Sequence, residues 1–286
     1  MKPAIRAFDH RQFDLAGLLA AKGDRGISLC LPARDEAATI ARIVESVVGH
    51  PLLDEVLVLD DHSVDDTATV AAGAGARVVD AARFHPSYGP GKGEAVWKAI
   101  RAARGDLLLF CDADLRDFSP HFVVGLAGPL LVDEDVQLVK AFYDRPGDGL
   151  PRGGGRVTEL VARPLLHLLF PHLAGVVQPL AGEFAARRQL LESLPIVGGY
   201  GVDIGLLIDA AARTGPAGLA QVDLGVRTHR NRPLEQLSPM AAVVSMTALR
   251  RAGVDVTGRL VLERPDFAVA EVIYREMPPV SAVVER

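Results

Sequence analysis

"ISLCLPARDEAATIARIVESVVGHPLLDEVLVLDD" (residues 27–61) reads as strand, helix, strand. Residues 27–33 form an apolar run. Ile40, Ile43, Val44 and Val47 then recur at helical spacing, which predicts a helix over 35–49. Asp35 and Glu36 would sit in its first turn, where the helix dipole favours acids. Residues 55–61 form a second apolar run ending in two acids. Neither run alternates polar with apolar residues, so both faces of each strand should be covered, as in a parallel sheet.

The pattern continues outward. A helix is expected over 63–75, with Ser63 as its N-cap and glycines at its end. A strand at 76–80, a Gly/Pro-rich loop at 83–93, a helix at 94–105 and a strand at 106–112 follow. This alternation predicts an α/β fold with a mostly parallel sheet flanked by helices. In such sheets ligands bind beyond the carboxyl ends of the strands. Pro32, Asp60, Asp61, Asp112 and Asp114 all fall there and should converge on one crevice.

Beyond Asp114 we expect a helix over 119–131, a strand over 136–144 and a mobile glycine-rich loop over 144–158. Helices at 159–170, 201–213 and 238–252 and a strand at 220–226 complete the reading, and the tail from 255 is unassigned. The division is a helical lead-in (1–26), a nucleotide-binding half (27–145), an acceptor-binding half of the same domain (146–254) and a C-terminal tail (255–286).

The chain has 286 residues, 49% of them hydrophobic, and a formal net charge of −5. The charge argues against a nucleic-acid surface, which wants a basic face. Cys30 and Cys111 each close an apolar run, and two thiols make neither a disulfide framework nor a four-cysteine zinc site. They read as core thiols in a reducing cytoplasm. Neither an apolar signal segment nor a run of about 20 apolar residues able to span a bilayer is present. The apolar stretch 160–180 is broken by Arg163, Pro164, His167, Pro171 and His172, and reads as core or as a contact with another subunit.

Five segments carry candidate chemistry. "FCDADLR" (110–116) ends a buried strand in two carboxylates on alternate residues. Mg²⁺ or Mn²⁺ on a diphosphate needs one or two such groups, with phosphate oxygens and water completing the shell; a solvated turn is the competing reading. "LPARDEAATI" (31–40) lacks the Gly-x-Gly-x-x-Gly of a dinucleotide binder, which disfavours hydride transfer. Pro32 and Ala33 offer backbone groups there, and Glu36 is either a ribose or base acceptor or a first-turn acid. "GPGKGE" (89–94) is not a Walker A motif, but Lys92 among glycines before a helix suits an anion as well as solvent. "RGGGRVTEL" (152–160) is either an anion nest or a connector. "VRTHRNRP" (226–233) gathers Arg227, His229, Arg230 and Arg232 without an acid, which favours a phosphate-rich ligand.

Taken together, "GPGKGEA", "DADL", "QLVKAFY", "GGGRVTELVARPLL", "QPLAGE", "GYGVDIGLLID", "AQVDLGVRTHRNRP" and "SPM" resemble, in order over about residues 27–250, the GT-A-fold retaining glycosyltransferases that make glucosyl-3-phosphoglycerate. The resemblance implies glucose transfer from UDP-glucose to the 2-hydroxyl of 3-phosphoglycerate, with Mg²⁺ or Mn²⁺, in a cytoplasmic homodimer. It implies that Pro32, Ala33, Glu36 and Ser63 hold the uridine and ribose. Lys92 would lie near the nucleotide and diphosphate, Asp112 and Asp114 at the sugar nucleotide and metal, and Gly182 and Glu183 along the sugar pocket. Asp114 and His229 would hold the metal. Gly155, Arg156, Thr158 and Asn231 would hold the acceptor. Asp112, Asp114, Lys92 and Asp203 are the implied catalytic set. Two departures touch the donor: Asp203 stands where the family pattern has glutamate, and "DDHS" places His62 near the base.

The chemistry agrees with these residue types. A departing diphosphate gains negative charge, which a divalent cation and Lys92 would offset. No pair of flanking carboxylates is needed, unlike glycoside hydrolysis. Retention is expected, with the leaving phosphate taking the acceptor proton, a step the resemblance implies. A GDP-mannose-dependent mannosyl-3-phosphoglycerate synthase is the rival within the class. A nucleotidyltransferase would want a glycine-rich loop after the first strand, which "LPARDEA" lacks, and a non-catalytic nucleotide-binding regulator is the third reading.

Overall fold

The structure, a computed structural model, describes residues 5–84, 86–144, 155–227, 233–265 and 267–283. The first elements are β1 (Arg6–Asp9), α1 (Leu15–Lys22), β2 (Ile27–Ala33), α2 (Ile40–Val47), β3 (Glu55–Asp60), α3 (Thr67–Gly73), β4 (Arg77–Asp80), α4 (Lys92–Ala102) and β5 (Leu107–Phe110). Then come α5 (His121–Val132), β6 (Leu138–Asp144), a π-helical turn (Thr158–Ala162) leading into α6 (Arg163–Leu169), β7 (Phe184–Arg187), α7 (Arg188–Ser193) and β8 (Ile196–Val197). The chain closes with α8 (Val202–Thr214), β9 (Leu219–Val226), α9 (Leu234–Arg251), β10 (Arg259–Arg264), β11 (Phe267–Ile273) and β12 (Glu276–Met277).

Eight strands make one sheet in the order β1-β9-β6-β7-β5-β2-β3-β4. All neighbours are parallel except β7, which runs antiparallel to both β5 and β6. The expected mostly parallel sheet flanked by helices is the observed one. Two cores cover its faces. Trp97, Ile100, Phe184, Leu207 and Val244 belong to the face beneath α4, α8 and α9, and Ile43, Val44, Phe122 and Leu126 to the face beneath α2 and α5. Burial on both sides explains why β2 and β5 read as continuous apolar runs.

Several local expectations are corrected. The lead-in is not purely helical, because Arg6–Asp9 pairs with β9 as an edge strand. The helix expected from 35 starts at Ile40, and that expected from 63 starts at Thr67, with Asp66 rather than Ser63 before it. In both places the backbone N–H groups ahead of the helix are used to tie the two loops together. The expected mobile loop falls outside the described residues at 145–154, and the chain is already helical at Arg156. The unassigned tail is a β10–β11 hairpin that packs Val272 on Val243 and Met246 of α9, followed by β12 on β8. Strand β7 was not expected. Four residues, Phe-Ala-Ala-Arg, carry too little pattern to announce a strand.

Candidate active site

The strand order turns at β2. The chain steps outward to β3 and β4, then places β5 on the other flank of β2. A crevice opens at such a switch point. Strand β5 stops at Phe110 opposite Cys30, while β2 continues beside β3 to Ala33. Pro32 lies past its last partner on the β5 side, so its missing N–H breaks no ladder bond. The resulting cavity, about 410 Å³, is lined by Pro32, Ala33, Arg34, Glu36, Asp61, Gly91, Lys92, Asp112, Asp114, Gly182, Gly199 and Tyr200, with apolar neighbours.

On its β2–β3 side the cavity rests on a clasp between two loops. Asp35 (φ 56°) and His62 (φ 64°) hold left-handed backbone that non-glycine residues rarely adopt. Hydrogen bonds offset the strain. Asp35 N–H donates to Ser63 Oγ at 3.0 Å, and Val64 N–H donates back to Asp35 Oδ1 at 2.8 Å. Glu36 N–H donates to Thr67 Oγ1 at 2.8 Å, and Ala37 N–H to Asp65 Oδ2 at 3.2 Å. The clasp presents the Glu36 side chain to the cavity, where partial burial, then the charges of Asp114 and Asp112, raise its pKa above the ordinary glutamate value.

The β5 side is built from charge. Lys92, the first residue of α4, sets its Nζ 3.1 Å from Asp203 Oδ2 and 3.4 Å from Asp112 Oδ1. Arg227, at the end of β9 and 3% exposed, reaches Asp112 Oδ2 at 3.1 Å and Glu183 Oε2 at 3.0 Å. Tyr143 donates to Glu183 Oε2 at 2.7 Å and accepts from Arg227 at 2.6 Å. Lys140, buried in β6, donates to Ala181 O at 2.6 Å and lies 3.9 Å from Asp203 Oδ1. Three cations thus face three carboxylates, the balance that buried charge requires.

Titration follows that balance. Burial would raise the Asp112 pKa, but Lys92 and Arg227 hold it well below the carboxylate range. Burial likewise opposes charge on Lys92, and Asp112, Asp203 and Glu183 hold it well above the usual lysine value. Lys140 has fewer close partners, and burial brings its pKa down to about 8. Both cysteines are buried and burial pushes their thiols up, as core thiols should be.

Asp114 differs from these groups. Its side chain is 46% exposed, with the Arg227 guanidinium 3.6 Å away. Gly182 is explained by Asp112: a Cβ there would fall 2.4 Å from Asp112 Oδ1.

Of the expected site residues, the structure brings Pro32, Ala33, Glu36, Lys92, Asp112, Asp114 and Gly182 to one cavity. Glu183 and Asp203 lie buried behind its wall, holding Arg227 and Lys92. Ser63 is in the clasp, and His62, 3.3 Å from Asp61 Oδ1, stands beside it; neither lines the cavity. Gly155 (φ 88°), the exposed Arg156 and the buried Thr158 stand at the start of the helix into α6 and are not among the residues lining the cavity. His229 and Asn231 lie outside the described residues. Arg227, expected with its neighbours to favour a phosphate-rich ligand, is instead buried and paired with Asp112 and Glu183. Lys140, Tyr143 and Tyr200 were missed. A lysine inside the apolar run of β6 was the one readable signal among them.

A divalent cation fits this donor set. Asp114 is a carboxylate at the cavity mouth next to an oxygen-rich site, and hard cations of this class accept one or two carboxylates with phosphate and water. No cluster of three ligating side chains occurs among the described residues. No described helix is long and apolar enough to cross a membrane.

The glycosyl transferase family 2 model matches residues 28–191. Glucosyl-3-phosphoglycerate synthase of Mycolicibacterium paratuberculosis is 48% identical over 266 residues, covering 89% of this chain and 81% of the relative. The Mycobacterium tuberculosis enzyme is 50% identical over 252 residues, covering 84% and 78%. The crystal structure of the Mycobacterium tuberculosis enzyme in complex with Mn²⁺, UDP-glucose and phosphoglyceric acid aligns with a TM-score of 0.89 at 46% identity, over 98% of this chain and 99% of the other. Its complex with Mn²⁺, UDP and glucosyl-3-phosphoglycerate aligns with a TM-score of 0.85 at 45% identity, over 96% and 98%. With a GT-A sheet, an acidic β5 tip and identities of this size over most of its length, the chain belongs to the glucosyl-3-phosphoglycerate synthases of glycosyl transferase family 2.

Proposed function

We propose that the chain transfers glucose from UDP-glucose to the 2-hydroxyl of 3-phosphoglycerate, with retention. The observation that carries this reading is the charge-balanced group of Lys92, Asp112, Asp203, Glu183 and Arg227 beside a nucleotide-sized cavity, in a chain so similar to an enzyme crystallised with that donor and acceptor.

The donor half is residues 27–145. Pro32 and Ala33 offer backbone groups to the uridine, and Glu36 a carboxylate to the ribose. Ser63, whose oxygen already accepts from Asp35, keeps its O–H proton to donate. Lys92 places a cation where the diphosphate gains charge as the glycosidic bond breaks. Asp203 orients Lys92, and its Oδ1, buried without a hydrogen-bond partner among the described residues, is an acceptor for a sugar hydroxyl. Gly182 gives Asp112 room at the sugar, and Glu183 steadies Arg227 behind it. Mg²⁺ or Mn²⁺ would be held by Asp114 and His229, and when bound supplies positive charge against the donor's phosphoryl groups. The acceptor half is residues 146–254, where Gly155, Arg156, Thr158 and Asn231 take the phosphate and carboxylate of 3-phosphoglycerate. The leaving phosphate takes the acceptor's proton, so no side-chain base is required. A cytoplasmic homodimer completes the reading. The exposed Leu160, Leu168 and Val177 around α6 are its support.

The test is a matrix of UDP-glucose, GDP-mannose and ADP-glucose against 3-phosphoglycerate and glycerate, with product mass and anomeric configuration read out. Turnover concentrated in UDP-glucose with 3-phosphoglycerate, giving UDP and a retained anomer, supports the reading. Preference for GDP-mannose, or release of pyrophosphate, overturns it.

A further inference from the structure

We propose that Glu94 is a positioning residue that ties the Gly91–Lys92 start of α4 to the Gly199–Tyr200 wall across the cleft, and so sets the shape in which the donor is received. The inference rests on the donor reading of the cavity. Glu94 lies two residues after Lys92 in the first turn of α4 and is 4% exposed. Its Oε2 accepts from Gly199 N–H at 2.8 Å. Gly91 and Lys92 line one side of the cavity, Gly199 and Tyr200 another.

The carboxylate sits in a slot made by one glycine from each wall. A Cβ on Gly91 would fall 2.2 Å from Glu94 Oε2, and a Cβ on Gly198 would fall 2.6 Å from Oε1. Backbone approach is equally close beside it, since a Cβ on Gly93 would lie 2.0 Å from Val197 O. Each wall is separately anchored. Asp61 Oδ2 accepts from Gly91 N–H at 2.9 Å, and the buried Lys98 donates to Gly89 O at 2.6 Å. Gly198 N–H donates to Arg275 O at 2.9 Å, and β12 pairs with β8. Glu94 thus joins two braced segments. Gly199 has φ +55°, a backbone state free to shift when that bond is lost.

Two conservative variants of the full chain separate reach from charge. Glu94→Gln keeps an oxygen at the same reach. Glu94→Asp keeps the charge but withdraws it by about 1.5 Å, one carbon–carbon bond. The readouts are UDP affinity by calorimetry, KM for UDP-glucose, KM for 3-phosphoglycerate and the melting temperature. We expect Glu94→Gln to stay within about twofold of wild type. We expect Glu94→Asp to raise the UDP-glucose KM about tenfold, the scale of one hydrogen bond, with acceptor KM unchanged and the melting temperature lowered by no more than about 4 °C. The reverse order, equal losses in both variants, no loss in either, or failure of Glu94→Gln to fold overturns the inference. Wild-type protein that binds no UDP overturns the donor reading instead.

Discussion

The two sides of the cleft are held by different means. On the β2–β3 side, backbone N–H groups of Asp35, Glu36, Ala37 and Val64 are met by side chains about thirty residues away in the neighbouring loop, as the 28–31-residue separations show. On the β5 side, ionised side chains from α4, β5, β6, β7, α8 and β9 meet, with Arg227 lying 44 residues from Glu183 and 115 from Asp112. On the proposed reading the first arrangement would seat a neutral nucleoside, and it should lose one bond without collapse. The second, on the same reading, would concentrate charge where charge develops, and its members compensate one another.

That contrast is open to attack at several points. The largest effect is expected at Asp114, the exposed carboxylate of the charged side. Asp114→Asn should lower kcat by about 10³-fold, equivalent to about 4 kcal/mol of lost transition-state stabilisation, with an unchanged melting temperature. Wild-type turnover in a folded Asp114→Asn protein would contradict the metal assignment. Next is Arg227→Met, which leaves Glu183 without its paired guanidinium and Asp112 with Lys92 alone. Urea denaturation should show a loss of about 3–5 kcal/mol, and a loss under 1 kcal/mol would show that the cluster does not depend on compensation.

Lys140 supplies a pH test of the same side. Its folded pKa of about 8 lies below the ordinary lysine value of 10.5, so the folded state gives up its proton first. Below pH 8 both states are protonated and the burial cost is fully present. Between about 8 and 10.5 the unfolded chain binds more protons, and stability gains with rising pH. The stability difference between wild type and Lys140→Met should therefore move in favour of wild type over that window. A difference independent of pH would remove Lys140 from the charge balance. The smallest effect is expected in the clasp. Ser63→Ala removes one acceptor and should cost about 1 kcal/mol, read from the urea midpoint; a loss as large as that of Arg227→Met would erase the distinction between the two sides.

The same contrast marks what could be read in advance. The β2–α2–β3 order, Lys92 beside its glycines and the acidic tip Asp112–Asp114 are contiguous patterns with a physical rationale, and they meet at the cavity, although α2 spans only Ile40–Val47 and α4 already begins at Lys92. Helix starts were displaced because Ser63 and Thr67 accept from the opposite loop, while Asp65 divides its two oxygens between Ala37 N–H of that loop and Thr67 N–H of its own helix. Strand β7 and the pairing of Arg227 with Glu183 and Asp112 depend on distant segments meeting, which periodicity cannot record. Resemblance to a family pointed to Glu183 and Asp203; only coordinates give their partners. Even so, a lysine in the middle of β6 and a glycine at 182 were visible marks of a buried carboxylate site.

The most direct test is a crystal of this chain soaked with UDP-glucose and Mn²⁺. The account predicts anomalous density bonded to an Asp114 oxygen, with the diphosphate against Lys92 and the uridine between the Pro32–Glu36 and Asp61–Ser63 loops. Manganese and nucleotide found together outside this cavity would contradict it.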